Sequence, residues 1–467
     1  MNRHFLFALV VVLVFVFTMP IAVADDGIKS GAFTFRIKGN GTAIITNFDY
    51  AGFPDSWSNE GKEGKDIFIP RMLDGYTVTE IGERAFSASA FDEYGLSYLI
   101  GNIVIPDTIT TIGEKAFMSL TVSSKVISIP GSVQHIGAGA FSNMSGVEQF
   151  TVDAQNPVYA TIDGVLFNKK QKSLIAYPGS KKGTDGTNSY SIPNGIIEVA
   201  DYAFYGITLG TGYNSKASCI QLPETLKSIG AYSFAYAGIT THTNDGYRLE
   251  LPSSVSSIGE GAFFHARSGA QKKFSTIPYQ EVDLSKTSIR EIPDNAFRGC
   301  SLLGSVTLPE TLEIIGEYAF AELNDSANTY THERALVSIT IPAAVKEIKT
   351  GAFSSVEKSK IAVYQPYTFA ENSQLTKIGD EAFKNAPIKG EIVLPDGLKT
   401  LGNHVFFECV GLERIVIPAS VTSIGEELCA RRNVYIEVES GSYAALWASE
   451  NGYITQQAGQ EDTSWLN

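Results

Sequence analysis

Along the chain a short alternation of apolar and polar positions runs into a proline, then into a compact apolar phrase, and the whole unit recurs. Ile103-Val104-Ile105, Ile127-Ser128-Ile129, Val306-Thr307-Leu308, Ile339-Thr340-Ile341 and Ile415-Val416-Ile417 each end at a proline. A period of two predicts a short strand with one face inward. Proline has no N–H to give the ladder and ends the strand. Val-x-x-Ile-Gly follows and predicts a second, shorter edge, whose glycine serves either a positive φ or a close backbone turn. Ala-Phe then sets a small residue beside a large one in the core. The phrase closes at Phe86, Phe117, Phe141, Phe204, Phe234, Phe263, Phe297, Phe320, Phe353, Phe383 and Phe406, and in degenerate form at Cys429, twelve copies in all.

Spacing says which half of each unit is structural. Pro106 and Phe117 are 11 residues apart, as are Pro130 and Phe141, Pro309 and Phe320, and Pro418 and Cys429. From the phenylalanine to the next Ile/Leu-Pro the interval varies, from 12 residues (Phe297 to Pro309) to 52 (Phe141 to Pro193). A constant length is expected where side chains stack in register, and a variable one where loops bulge outward. Internal repeats of this period mean a solenoid, whose turns are each too small to bury their own apolar face. Unrelated strands of a sandwich would not keep a constant 11. The turns before Phe297 and Phe383 lack Ile/Leu-Pro, and the last has lost its phenylalanine, so these three are expected to be irregular.

The phrases Ile-Pro, Val-x-x-Ile-Gly and Ala-Phe-x-x-Cys resemble the BspA-like branch of leucine-rich repeat proteins. The fullest matches are Ala-Phe-Arg-Gly-Cys ending at Cys300 and Phe-Phe-Glu-Cys ending at Cys409. The resemblance implies a β-rich leucine-rich repeat solenoid of about twelve turns, with short stacked strands, an N-terminal β cap and a short C-terminal capping helix. Gly41 to Ile45 with Asp74 to Val78 resembles the N-terminal cap of the family. Asn156-Pro157 through Asp163-Gly164 to Tyr177-Pro178 resembles its β-hairpin insertion, and Gly441 to Trp447 with Asn451-Gly452 its closing helix. Caps also make physical sense, because an open solenoid exposes unpaired strand edges at both ends.

The N-terminus begins with Arg3, an apolar run from Phe5 to Phe17, and Ala22-Val23-Ala24 before Asp25. That is the pattern of a secretory signal peptide cleaved after Ala24, and the run is short for a membrane span. The expected organisation is therefore a signal peptide at 1–24 and a β cap leading into the first repeat at 25–78. The solenoid follows at 79–434, with the hairpin insert at 154–188, and a C-terminal cap and tail at 435–467.

Charge narrows the partners. Lys+Arg 36 against Asp+Glu 50 leave a net charge of −14, which argues against nucleic acid and anionic membrane surfaces. Enzyme signatures are missing: the histidines after the leader fall in different turns without metal-ligand spacing, and there is no Gly-x-Ser-x-Gly elbow or phosphate-cradling loop. No catalytic residue, metal or cofactor is expected. Cys219, Cys300, Cys409 and Cys429 show no paired spacing, so no disulfide is expected, and Cys219 is placed on the outward strand face as an exposed thiol.

Two surfaces compete for a partner. The outward strand positions, such as Ser128, Gln221, Thr307 and Thr340, are small and polar. The variable half-turns carry Tyr213, Tyr247, Tyr279, Tyr330, Tyr364 and Tyr367, with Tyr205, Tyr236 and Phe274, among Asn, Thr, Ser and Gly. Tyrosine among small polar residues is the composition interfaces favour. Those six tyrosines are the candidate partner-binding residues, protruding together from one side. A milder basic patch, Lys169, Lys170, Lys172, Lys181 and Lys182, falls on the hairpin. The resemblance implies adhesion to, or recognition of, extracellular or host proteins at a bacterial surface or in the medium. A glycan-binding module, its tyrosines stacked on sugars, and a structural spacer without a ligand are the alternatives.

Overall fold

The computed structural model describes residues 27–51, 64–87, 99–170, 172–181, 189–207, 209, 220–239, 241, 248–266, 271–272, 275–276, 279–300, 302–323, 339–355, 367–429 and 434–457. The leader and its cleavage site lie outside them. Each turn of the coil contributes three hydrogen-bonded segments. The first is the strand before the proline, as in Leu99–Val104, Val126–Ile129, Ile339–Ile341 and Leu412–Ile417. The second is a two-residue strand at the Ile of Ile-Gly. Glu291–Ile292, Ile314–Ile315, Glu347–Ile348, Lys377–Ile378, Thr400–Leu401 and Ser423–Ile424 pair in parallel, one residue pair above the next. Period-two alternation holds: Ile339 and Ile341 are fully buried and Thr340 between them is exposed.

The third segment carries the Phe. Its residue two before the phenylalanine takes a positive φ in every turn, from Arg84 (52°) and Lys115 (52°) through Gly139 (65°) and Tyr232 (50°) to Glu427 (46°). This residue, the phenylalanine and the residue two beyond it all donate to the next turn. Lys115 N reaches Ala138 O (2.9 Å), Phe117 N reaches Ala140 O (2.8 Å) and Ser119 N reaches Ser142 O (3.0 Å). Equivalent rungs recur down the coil, with the earlier turn donating and the later one accepting. The glycine of Ile-Gly has a different purpose. A Cβ on Gly113 would lie 2.6 Å from the Gly82 carbonyl carbon, and one on Gly137 2.5 Å from the Glu114 nitrogen. Neither has a positive φ. Close approach between turns, not a left-handed conformation, selects glycine there.

Stacked phenylalanines form the spine of the core. Ring centroids are 5.0 Å apart for Phe86–Phe117, 5.3 Å for Phe297–Phe320 and 5.4 Å for Phe383–Phe406, with interplanar angles of 20°, 4° and 17°. Each such pair adds about 0.5–1.5 kcal/mol beyond the area it buries.

The three turns expected to be irregular keep the repeat. Tyr279–Asp283 pairs in parallel with Arg248–Glu250 and Leu302–Thr307, and Tyr367–Phe369 with Ile339–Ile341. In the last turn Phe406 N donates to Leu428 O (2.8 Å), the same rung that joins the other turns, and Cys429 pairs with Phe406 in parallel. Alternation of inward side chains is enough to make these strands, and the proline is dispensable.

The hairpin also departs from expectation. Its strands, Tyr159–Ile162, Val165–Asn168 and Ser173–Ala176, do not protrude as a loop. Val165, Phe167 and Leu174 face the C-terminal core, while Leu166 and Ala176 face the N-terminal one. The hairpin is a layer buried on both faces, and it divides the interior into two clusters. Tyr177 then fills a phenylalanine slot: its N–H donates to Ala203 O (2.9 Å) and its ring stacks on Phe204 at 5.0 Å and 24°.

At the N-terminal end Phe33–Ile37 and Thr42–Phe48 pair antiparallel, and Thr42–Phe48 joins Tyr76–Ile81 in parallel. Phe48 stacks on Phe86 at 5.2 Å. At the other end the helix Tyr443–Glu450 starts at Ser442, whose hydroxyl accepts from Ala445 N (3.2 Å). Trp447 points inward from it and stacks on Tyr453 at 5.1 Å. No helix among the described residues is long and apolar enough to cross a membrane. Cys300, Cys409 and Cys429 are free and buried, and burial raises all three thiols, that of Cys429 to about 12. Cys219 lies outside the described residues.

Candidate functional site

Of the six candidate tyrosines, Tyr213, Tyr247, Tyr330 and Tyr364 lie outside the described residues. Tyr279 opens a strand of the coil, so its backbone belongs to the sheet and not to an insertion. Tyr367 must be withdrawn from the candidate surface. It is only 8 % exposed, with its ring 5.2 Å from Phe353 and 5.1 Å from Phe383. Tyr367–Phe369 takes the place of an Ile-x-Ile strand, and its register with Ile339 turns the ring into the core. Burial raises the Tyr367 hydroxyl well above its ordinary value.

The outward strand face is held by polar ladders. Ser128 and Thr151 share a hydrogen bond at 3.0 Å, as do Thr340 and Thr368. Arg248 spans Glu281 (2.8 Å) and Asp283 (3.4 Å), and Arg414 joins Glu391 to Glu437. These pairs tie neighbouring turns together and leave few side chains for a partner.

Aromatic side chains gather elsewhere, on the outside of the phenylalanine segment. Tyr202 and Tyr232 occupy the left-handed slot two before Phe204 and Phe234, and their rings stack at 5.4 Å and 13°. Tyr236 and His265 occupy the second left-handed slot, two beyond the phenylalanine, and stack at 5.4 Å and 9°. Phe264 stands edge-on to both Tyr236 (5.5 Å, 75°) and His265 (4.5 Å, 84°). Tyr205 meets Tyr236 edge-on at 5.6 Å. The six form one patch over three turns, because equal slots in successive turns fall one above another. Tyr236 is 45 % exposed and the others are half-buried.

Neighbouring glycines make the patch possible. A Cβ on Gly261 would lie 2.4 Å from the Tyr232 ring, so that ring rests flat on the next turn only because the slot there is glycine. Charges edge the patch on two sides. Lys115 Nζ lies 4.4 Å from the Tyr202 ring centroid, a cation–π distance. Burial works to lower the Lys115 ammonium, but its bonds to Glu114 and Tyr202 outweigh that and hold it raised. Tyr232 donates to Glu260 Oε1 at 2.6 Å, and burial followed by that bond raises its hydroxyl. Among the described residues no group of three or more His, Cys, Asp or Glu could hold a metal ion.

Sequence reasoning named Tyr205 and Tyr236 as loop aromatics and passed over Tyr202, Tyr232, Phe264 and His265. The missing signal was positional: all six fall at fixed offsets from Phe204, Phe234 and Phe263.

The repeat matches the family described as BspA type leucine-rich repeat region (6 copies), over residues 67–181, 181–268, 211–329 and 325–437. The chain belongs to that family. Among solved structures, this BspA-type chain is similar to a leucine-rich repeat protein from Eubacterium ventriosum, with 20 % identity over 73 % of this chain and 97 % of that one and a TM-score of 0.43. A leucine rich cell surface protein from Faecalibacterium prausnitzii shares 17 % identity over 94 % of this chain and 96 % of that one, at a TM-score of 0.23. The pneumococcal vaccine antigen PcpA shares 16 % over 74 % and 98 %, at 0.29. No curated protein matches the BspA-type chain.

Proposed function

We propose that this BspA-type protein is exported, cleaved after Ala24, and acts at the cell surface or in the medium as a non-enzymatic binding protein for an extracellular protein. Family membership supports the class, since proteins of this repeat type are in general scaffolds for protein binding or adhesion. The observation that carries the site is the six-residue aromatic patch of Tyr202, Tyr205, Tyr232, Tyr236, Phe264 and His265. Its rings spend faces on one another, Tyr202 on Tyr232 and Tyr236 on His265. A sugar platform needs open faces, whereas rigid aromatic edges beside Lys115 and Glu260 suit a protein hot spot.

Mature residues 25–467 would be measured by biolayer interferometry against immobilised extracellular-matrix proteins and a panel of polysaccharides, beside Tyr236→Asn/Phe264→Ser. Asparagine tolerates the left-handed backbone at 236. Saturable binding to a protein, weakened by about 2 kcal/mol or more in the variant, is expected. Full binding by the variant would remove the patch as the site. Binding to polysaccharide alone would favour the glycan reading, and silence on both panels would speak against adhesion.

A further inference from the structure

The residue just before each two-residue strand ties neighbouring turns through its backbone, and this position forms a column down the coil. Ile197 N donates to Lys172 O (3.0 Å), Lys227 N to Ile197 O (2.8 Å) and Ser256 N to Lys227 O (2.9 Å). Farther on, Glu313 N donates to Arg290 O (2.8 Å) and Lys346 N to Glu313 O (2.8 Å). Thr376 N then donates to Lys346 O (2.9 Å) and Lys399 N to Thr376 O (2.9 Å). Ser256 and Arg290 hold this position in consecutive turns, which Phe263 N joins by donating to Ala296 O (2.8 Å). Basic residues therefore fall on alternate turns: Lys172, Lys227, Arg290, Lys346 and Lys399, with Ile197, Ser256, Glu313 and Thr376 between them. Rungs lie about 4.8 Å apart, so successive cations are about 9–10 Å apart at the backbone.

All five basic residues are exposed. Lys346 and Arg290 share the intervening Glu313, whereas Lys172, Lys227 and Lys399 form no ion pair among the described residues. Of the hairpin lysines, Lys181 is taken by Asp163 (3.1 Å) and Lys169 by the Asn156 carbonyl (2.7 Å), which leaves exposed Lys170 beside Lys172. Acids next to the column are engaged. Glu198 accepts from the Ser173 hydroxyl, Glu291 pairs with Lys349 (3.3 Å) and Glu347 with Lys377 (2.8 Å). Ser256, Ser257 and Thr376 place exposed hydroxyls between the cations. In a chain of net charge −14, this is a line of positive charge held at fixed intervals on a rigid wall.

We propose that this column binds a linear acidic polysaccharide, with one carboxylate for every two sugar rings, laid along the coil. Two linked pyranose rings are about as long as the interval between cations, so each repeat sets its carboxylate against every second turn. Complementary charge then fixes the register of the polymer. Same-face side chains of an extended peptide recur about every 6.6 Å, out of step with the column. Lys172 and Lys227, with Lys170 beside them, are the strongest part of the site, because no carboxylate of this chain competes for them. The site is separate from the aromatic patch and does not rest on it.

The probe is a hyaluronan decasaccharide labelled with fluorescein at its reducing end, titrated by anisotropy into mature residues 25–467 at low salt. A chitin oligosaccharide of the same length, which is neutral, and poly-glutamate are the controls. Saturable binding of hyaluronan in preference to both is expected, and added salt should weaken it. Lys172→Glu/Lys227→Glu should weaken it about tenfold, and Tyr236→Asn/Phe264→Ser should leave it unchanged. Both lysines are exposed, so the charge reversal leaves the core intact. Absence of saturation, equal binding of either control, or full binding by the charge-reversed variant would overturn the proposal. So would loss of binding in the aromatic variant, which would place the sugar on the patch instead.

Discussion

A methyl group on Gly113 would press on the backbone of Gly82, which has no side chain to swing aside. Gly113→Ala is therefore expected to cost about 1–3 kcal/mol in urea unfolding, the scale of overpacking. Gly131→Ala is the control: its Cβ would meet Asp153 at 3.5 Å, an ordinary contact, without a positive φ. That substitution should stay within about 0.5 kcal/mol. The buried thiols give a second test at the same scale. Cys300, Cys409 and Cys429 are raised by burial and carry little thiolate near neutral pH. Native alkylation should spare these three, and denaturing, non-reducing alkylation should modify all four cysteines by intact mass. A mass short of four adducts would reveal a disulfide. The Ile-Gly pair was legible in the sequence, but its reason was not, because the atoms that exclude a Cβ belong to the preceding turn.

Among the elements, the aromatic spine and the buried hairpin make opposite predictions for one hydroxyl. Phe297 lies between Phe263 and Phe320 in an unbroken stack, so Phe297→Ala should lose about 3–5 kcal/mol. Tyr177 holds the same slot, yet its hydroxyl is buried without a hydrogen-bond partner among the described residues. Tyr177→Phe should leave stability unchanged or raise it by about 1 kcal/mol in the same assay. A clear loss would show that the hydroxyl is bonded. Strand legibility followed the same physics. Ile-x-Ile-Pro announced most strands, while Tyr367-Thr368-Phe369-Ala370 concealed one. Aromatic residues without a proline read as loop until the parallel partner Ile339–Ile341 turned Tyr367 inward. The aromatic patch was hidden likewise, since Tyr202 and Tyr232 look unrelated until equal slots are superposed.

Across the whole molecule, the hairpin separates two hydrophobic clusters, and each turn otherwise touches its neighbours. Stability in such a stack is a sum of local terms. Phe117→Ala should therefore speed hydrogen exchange through residues 99–152 while residues 377–429 keep their protection. Uniform loss along the chain would instead mean one cooperative unit. The repeat, its register of 11 residues, the inward strand positions and the acidic balance all follow from the amino-acid order alone. They are matters of local period and of charge, which need no knowledge of what lies alongside. Stacking decided the rest: the hairpin as a buried layer, Tyr367 as core, and the six aromatics as one surface. Each depends on contacts between residues of different turns, which become neighbours only when the coil closes.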